Sequence, residues 1–146
     1  MNRDDIVALF ARRNDAWARR DAAALAADHA ENAVAESPIH GRIEGRARIR
    51  AAYENWFSSF ADLTHTTKDV LIDGNKAAQF FTMRGTQSAP FGSVPATGRR
   101  LDFSGVILFT IGPDGLFIHD QRIYDVTGVL VQLGVLKAKP TDKVAS

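Results

Sequence analysis

The chain of 146 residues has no cysteine. That absence removes disulfides, thiol nucleophiles and thiolate metal sites together. It suits a reducing compartment, and a cytoplasmic protein is the expectation. Net charge is almost absent as well: 18 Lys and Arg stand against 17 Asp and Glu. So even a balance gives no electrostatic pull towards DNA, RNA or an anionic membrane. The basic residues come in small pairs, Arg12–Arg13, Arg19–Arg20 and Arg99–Arg100, with no aromatics between them. No nucleic-acid partner is expected. No apolar run approaches the ~20 residues of a membrane span, and the opening MNRDDIVALF has acids where a secretory leader has its apolar core. No membrane partner is expected either. His29, His40, His65 and His119 are scattered and make no ligand spacing. There is no Gly-rich phosphate loop and no G-x-S-x-G elbow. Neither a metal nor a cofactor is expected.

What is present is an ordinary globular composition, 45% hydrophobic and 24% charged. The length allows one domain with a full core. We place it at residues 1–136, and read KAKPTDKVAS, 137–146, as a flexible C-terminal tail. Residues 3–19 have helical spacing, with Ile6, Leu9, Phe10, Ala16 and Trp17 near one face and Asn2 as the cap. Asp21 caps a short alanine-rich helix reaching about His29. AVAESP reads as a brief strand stopped by Pro38, and IHGRIEG as a loop. A third helix spans Arg46 to Phe60, with Ile49, Tyr53, Trp56, Phe57 and Phe60 as its stripe.

After Asp62 the period changes to two. Strands are expected over 64–72, 76–87, 101–111 and 116–126, joined by turns at DGN and GPDG and by the longer SAPFGSVPATG. In the second of these, Ala78, Phe80, Thr82, Arg84 and Thr86 share one face; Ala77, Gln79, Phe81, Met83 and Gln87 share the other. In the last, Asp120, Arg122 and Tyr124 share a face. VTGVLVQLG is a short amphipathic tail that Asp125 is placed to cap. Helices first and hairpin-linked strands afterwards mean α+β. The architecture expected is a curved antiparallel sheet wrapped around three N-terminal helices. Both faces of its long strands carry large apolar residues, so a second copy of the chain is expected to cover the outer one, giving a homodimer.

The string GTQSAPFGSVPATGRRLDFSGVILFTIGPDG, with DVTGVLVQLG after it, resembles the SnoaL-like polyketide cyclases and the related ester cyclases. The resemblance covers most of the chain and is most specific over 85–134. It implies the cone-shaped nuclear-transport-factor-2-like fold, with a deep apolar pocket between helices and sheet and usually an oligomer. Members of the family close a ring by aldol condensation, using an aspartate in the last strand three residues before the one that opens D-x-x-G-x-L. Counted back from Asp125, that position is Arg122. The family's histidine falls at about Ile107. An arginine stays protonated and cannot serve as a base at neutral pH. Ketosteroid isomerases and limonene-epoxide hydrolases share the fold. The isomerase base precedes a proline at a strand end, which reads Glu36-Ser37-Pro38 here, with Glu36 one place out of register. The hydrolase's Arg-x-Asp reads Arg84-Gly85-Thr86.

The site expected from these residues has Arg122 facing the pocket, with Asp120, Glu36 or an anionic ligand as its partner. Arg84 on the same side would make a second clamp on a carboxylate, phenolate or enolate. Glu36 is the one plausible base. Trp17, Tyr53, Trp56, Phe60, Phe103 and Ile107 would line the pocket, and Tyr53 and Tyr124 would donate to a ligand oxygen. The function expected is cofactor-independent acid–base chemistry on a small apolar carbonyl compound, with Arg122, Arg84 and Glu36 as its catalytic residues. The alternatives are a non-catalytic binder of an apolar anion, an isomerase of the ketosteroid type, and a pure interaction domain.

Overall fold

The computed structural model describes residues 1–137. All of the expected C-terminal tail except Lys137 therefore lies outside the described residues. Helix α1 is Arg3–Ala18. Asn2 and Asp5 close a capping box at its start, each backbone N–H donating to the other's side chain at 2.9 Å. Its buried stripe is Ile6, Leu9, Phe10, Arg13, Ala16 and Trp17. The spacing puts an arginine on the apolar face, among positions otherwise filled as expected. Helix α2 is Ala22–Ala27, capped by Asp21. It ends before the expected His29, because His29 already belongs to the first strand, β1 (His29–Ser37).

The segment expected as a loop after Pro38 contains a strand, β2 (Gly41–Glu44), antiparallel to β1. Gly41, at φ +68°, supplies the left-handed residue that turns the chain back. Helix α3 (Arg46–Ser59) follows, then β3 (Thr64–Asp73), β4 (Lys76–Thr86), β5 (Arg100–Ile111), β6 (Phe117–Tyr124) and α4 (Val126–Gln132). Asp125 caps α4 as expected, accepting from the Gly128 N–H at 3.0 Å.

The strands form one six-stranded sheet in the order β2-β1-β6-β5-β4-β3. It is not wholly antiparallel: β6 runs parallel to β1. The return between them passes through helix and hairpins, the long crossover that a parallel pair requires. The sheet is curved and open, and α1, α2 and α3 pack on its concave face. The expected two-residue alternation runs along β4, where Ala77, Gln79, Phe81 and Met83 are buried and Phe80 and Arg84 exposed, except at Thr82, which is buried on the outer face beside Ser104. On β6 it is interrupted near Ile118, where the register to β5 slips by one residue. The slip turns both Phe117 and Asp120 inward and leaves Ile118 exposed. Beyond it Asp120, Arg122 and Tyr124 follow one another on the concave side.

Candidate active-site cleft

Arg122 enters the concave side with only 10% of its side chain exposed. Its guanidinium lies 5.0 Å from the centre of the Tyr53 ring, and its Nε is 3.6 Å from Asp120 Oδ1. That distance is an ion pair but not a hydrogen bond. Asp120 is fully buried, and its other oxygen lies 2.9 Å from His29 Nε2. A second buried cation, Arg13, donates to the Tyr53 hydroxyl at 2.9 Å and to Asp28 at 3.0 Å. Asp28 also accepts from Arg12 at 2.7 Å. Charges and polar atoms thus form a chain under the aromatic core, from Arg12 through Asp28, Arg13, Tyr53, Arg122 and Asp120 to His29.

Burial works to raise the Asp120 carboxyl, but Arg122 and His29 outweigh it and hold the group below its ordinary value. Burial likewise works against the Arg122 charge, and Tyr53, Asp120 and Tyr124 outweigh it and push its pKa up. His29 is lowered by burial, against the pull of Asp120. Asp120 is therefore a fixed counter-ion for Arg122, not a free base.

In front of Arg122 lies a narrow cleft walled by Trp17, Ser37, Trp56, His65, Phe81, Met83, Phe103, Ile107 and Tyr124. Glycine shapes its floor: a Cβ on Gly105 would stand 2.7 Å from the Ile123 carbonyl and 3.0 Å from both Phe81 and Tyr124. The cleft is nearly closed, with ≈ 10 Å³ of room for a water's centre, about what one water needs. Its walls nevertheless hold buried polar atoms with no hydrogen-bond partner among the described residues, Trp17 Nε1, both ring nitrogens of His65 and Arg122 Nε, with the Tyr124 hydroxyl close to Ser37 and the Ile39 backbone. His65 is stacked between Trp17, at 4.0 Å, and Phe81, at 4.9 Å. Burial, with Arg122 and Arg13 nearby, pushes its pKa down to about 3, so the ring is neutral at ordinary pH. Burial pushes the Tyr124 phenol up.

Of the residues expected in the pocket, Trp17, Trp56, Phe103, Ile107, Arg122 and Tyr124 line this cleft. Tyr53 lies behind it, under Arg122. Phe60 is fully buried against Trp56. Asp120 is beneath the cleft.

Two placements correct the expectation. Arg84 is on the opposite face of the sheet, 57% exposed, donating to Asp102 at 3.1 Å. Strand parity places it there, since it alternates with the inward Met83 and Gly85. The two arginines therefore make no common clamp. Glu36 is also on the outer face, 39% exposed, with its Oε2 2.7 Å from His119 Nε2. The one-residue offset before Pro38 is the cause: Ser37, not Glu36, faces the cleft. Among the described residues no carboxylate lines the cleft itself.

Ser37, His65, Phe81 and Met83 were not singled out as site residues. His65 makes no metal-ligand spacing with the other histidines, so spacing alone does not point to it. The signal was the inward parity of β3, which the half-buried His65, Thr67, Val70 and Ile72 mark out. Among the described residues no group of three or more His, Cys, Asp or Glu is placed to hold a metal ion. No helix among them is long and apolar enough to cross a membrane.

Chemically, the cleft offers hydrogen-bond donors and one cation inside an aromatic wall. Donors aimed at a single apolar space stabilise negative charge on oxygen more strongly than they would in water.

No curated protein matches the chain. Solved structures do. TsrD from Streptomyces laurentii superposes with a TM-score of 0.80 at 29% identity, over 93% of this chain and 99% of its own. IdmH from Streptomyces antibioticus, described as a candidate polyketide cyclase, gives 0.66 at 26%, over 83% and 92%. A protein from Catenulispora acidiphila with a ketosteroid isomerase-like fold gives 0.68 at 18%, over 86% and 92%. The fold is thus the ketosteroid-isomerase-like, nuclear-transport-factor-2-like one. The model of the SnoaL-like domain matches residues 7–119, and with most of its length so covered this chain belongs to the SnoaL-like family.

Proposed function

We propose that the chain binds a small apolar compound through a carbonyl, enolate or carboxylate oxygen, held in the cleft by Arg122. The observation that carries this reading is that Trp17, His65, Arg122 and Tyr124, each with a buried side-chain N or O atom that makes no hydrogen bond of good geometry, line one largely apolar space. Buried polar atoms without partners each cost about 1–3 kcal/mol. A ligand oxygen that satisfies them recovers that cost. Gentle purification followed by mass spectrometry tests the reading. We expect an apolar acid or carbonyl compound to travel with the protein, and Arg122→Gln to lose it. A ligand retained equally by Arg122→Gln overturns the assignment.

Binding is favoured over turnover because the cleft lacks a carboxylate base and His65, with a pKa of about 3, is a weak one. One observation supports acid–base chemistry as a second reading. His65 is a neutral, unpartnered proton acceptor beside a fixed cation, and an enolate held by Arg122 would raise its basicity. The test is deuterium uptake next to the carbonyl of 2-tetralone, followed by NMR. Uptake that His65→Gln abolishes supports catalysis; no uptake above the buffer rate leaves binding as the function. IdmH is described as a candidate polyketide cyclase, but Arg122 stands where the family resemblance implies the catalytic aspartate, so we propose no ring closure.

We also propose a second copy of the chain as partner of the outer face, where Phe80, Leu108 and Ile123 are exposed. Phe80, Val106 and Ile123 stand in one row across β4, β5 and β6. Sedimentation at increasing concentration should give a dimer mass; a monomer throughout refutes it.

A further inference from the structure

The cleft is too small for the compound its polar atoms suit. Something in its wall must move, and every lining residue stands on a helix or strand. Trp17 stands on α1, His65 on β3, Phe81 and Met83 on β4, Phe103 and Ile107 on β5. The edge of Trp56, which stands on α3, is backed by a loop side chain, Phe91. Beyond that edge runs a wider, mostly apolar groove of ≈ 290 Å³, lined by Pro38, Ile39, Phe91, Val94, Val126 and Leu130 among others.

Two aromatic rings in contact, Trp56 and Phe91, lie between the two spaces. Trp56 faces the cleft and Phe91 faces the groove, with ring centroids 4.6 Å apart. Phe91 is buried, yet it belongs to the connection between β4 and β5, not to a helix or strand. That connection is braced within itself. Phe91 and Val94 exchange backbone hydrogen bonds at 2.8 and 3.0 Å. Gln87, fully buried at its base, donates to the carbonyls of Val94 and Pro95 and accepts from Thr97. Towards the body the connection is held by the Phe91 ring and by Ser59, whose hydroxyl donates to the Pro90 carbonyl at 2.9 Å and whose carbonyl accepts from the Ser88 and Ala89 N–H groups at 2.9 and 3.3 Å. The turn residues Gly92 and Ser93 are exposed. Such a piece can swing as a unit without breaking its own hydrogen bonds.

Resting on the reading above, we propose that cleft and groove are two halves of one binding site, with Phe91 as the partition between them. The ligand class follows from the two linings. One end carries a carbonyl or acidic oxygen on a flat ring, which reaches Arg122, His65 and Tyr124. The other end is an uncharged apolar extension that lies along Val94, Val126 and Leu130. The groove supplies the volume that the cleft lacks, and the displaced Phe91 packs on the extension in place of Trp56. Phe91 is then a specificity-determining residue for ligand length.

Two probes separate the halves: benzoate, a head alone, and biphenyl-4-carboxylate, the same head with a second ring. Only two tryptophans are present and both Trp17 and Trp56 line the cleft, so intrinsic fluorescence reports binding. The second ring should tighten binding about tenfold or more, the scale of burying one aromatic ring. Leu130→Asp should erase that advantage. Phe91→Ala should speed association of both probes several-fold, and Phe91→Leu, which keeps more of the packing, should do so to a smaller extent.

Equal affinity for the two probes, or an advantage that survives Leu130→Asp, overturns the joint site. Unchanged association rates in both Phe91 variants overturn Phe91 as the partition. Arg122→Gln distinguishes these failures from that of the underlying reading. If it weakens both probes, the cleft assignment stands whatever happens at Phe91. If it weakens neither, the cleft assignment falls and takes this inference with it.

Discussion

His119 and Asp120 are neighbours on β6, and they show how differently the two faces of one sheet use charge. His119 points outward, over a third exposed, and meets Glu36 at 2.7 Å in water. Asp120 points inward, fully buried, between His29 and Arg122. The outer pairs, Glu36 with His119 and Arg84 with Asp102, are complete and solvated, whereas the inner groups are only partly satisfied. Complete exposed pairs contribute little and ask for nothing more. Incomplete buried ones are costly, and a protein that keeps them has a use for them. The difference separates the candidate site from its surroundings more sharply than residue type does, because both faces carry arginines and acids.

The strongest way to break this comparison is to remove an inner charge. Arg13→Met leaves the Tyr53 hydroxyl without its donor and Asp28 with Arg12 alone. Losing one partner of a buried ion pair costs about 3–5 kcal/mol, and urea unfolding should show a loss of that size. A loss below about 1 kcal/mol, the scale of exposed pairs, would mean that the inner network is no more demanding than the outer one.

Next in size is the pH response of His65. Its folded pKa of about 3 lies below the ordinary value of 6.5. Below pH 6.5 the unfolded chain takes up a proton that the folded ring refuses, so stability falls as the pH drops and the loss is complete near pH 3. Between pH 7 and 4 the loss is about 3 kcal/mol, at roughly 1.4 kcal/mol per pH unit. Asp120 adds to the same trend at lower pH: its depressed carboxyl stabilises the fold above the usual carboxylate range, and that contribution fades as the pH falls through its folded value. Urea titrations of His65→Gln should be flatter over pH 7 to 4 than those of the parent. Identical slopes would remove His65 from the buried set.

Which of these features could be read from the sequence follows a pattern. Helix and strand positions were legible, because apolar spacing and turn residues set them. The face of Arg84 required choosing which of two apolar faces of β4 is inner. Nothing local decides that, since Phe80 and Phe81 are equally apolar. Arg122 was legible through the D-x-x-G-x-L register of the family and Asp120 as a partner through the two-residue spacing of the strand, but the Tyr53 ring beneath it was not. Arg13 had a signal that composition obscured: it falls seven residues after Ile6 on the α1 stripe, where only burial reveals its pairing with Asp28 and Tyr53. β2 was missed because four residues with two charges carry no strand period. The closure of the cleft depends on side-chain volumes brought together from β3 to β6, which no local pattern records.

A smaller effect comes from the floor of the cleft. Gly105→Ala places a methyl group against the Ile123 carbonyl and between Phe81 and Tyr124. Overpacking of this kind costs about 1–3 kcal/mol, and the shifted Tyr124 should weaken benzoate binding in the same protein. A variant as stable as the parent would show that the floor has slack, and that the narrowness of the cleft is not set there.

The smallest expected effect tests the outer face itself. Arg84→Ala removes the Asp102 pair, whose two side chains are each more than half exposed. Exposed pairs of this kind are worth about 0–1 kcal/mol, so the unfolding midpoint should hardly move and probe binding should not change. Glu36→Gln keeps a hydrogen-bond acceptor for His119 and should likewise leave binding intact. With Arg122, these two residues are the ones that the family resemblance implies for the chemistry. If either substitution weakened benzoate binding tenfold, the outer face would be contributing to the ligand, and the distinction between complete outer pairs and unsatisfied inner groups would not mark the site. If both leave binding unchanged while Arg122→Gln abolishes it, the functional arginine is identified by which face of the sheet it occupies and by what it lacks there.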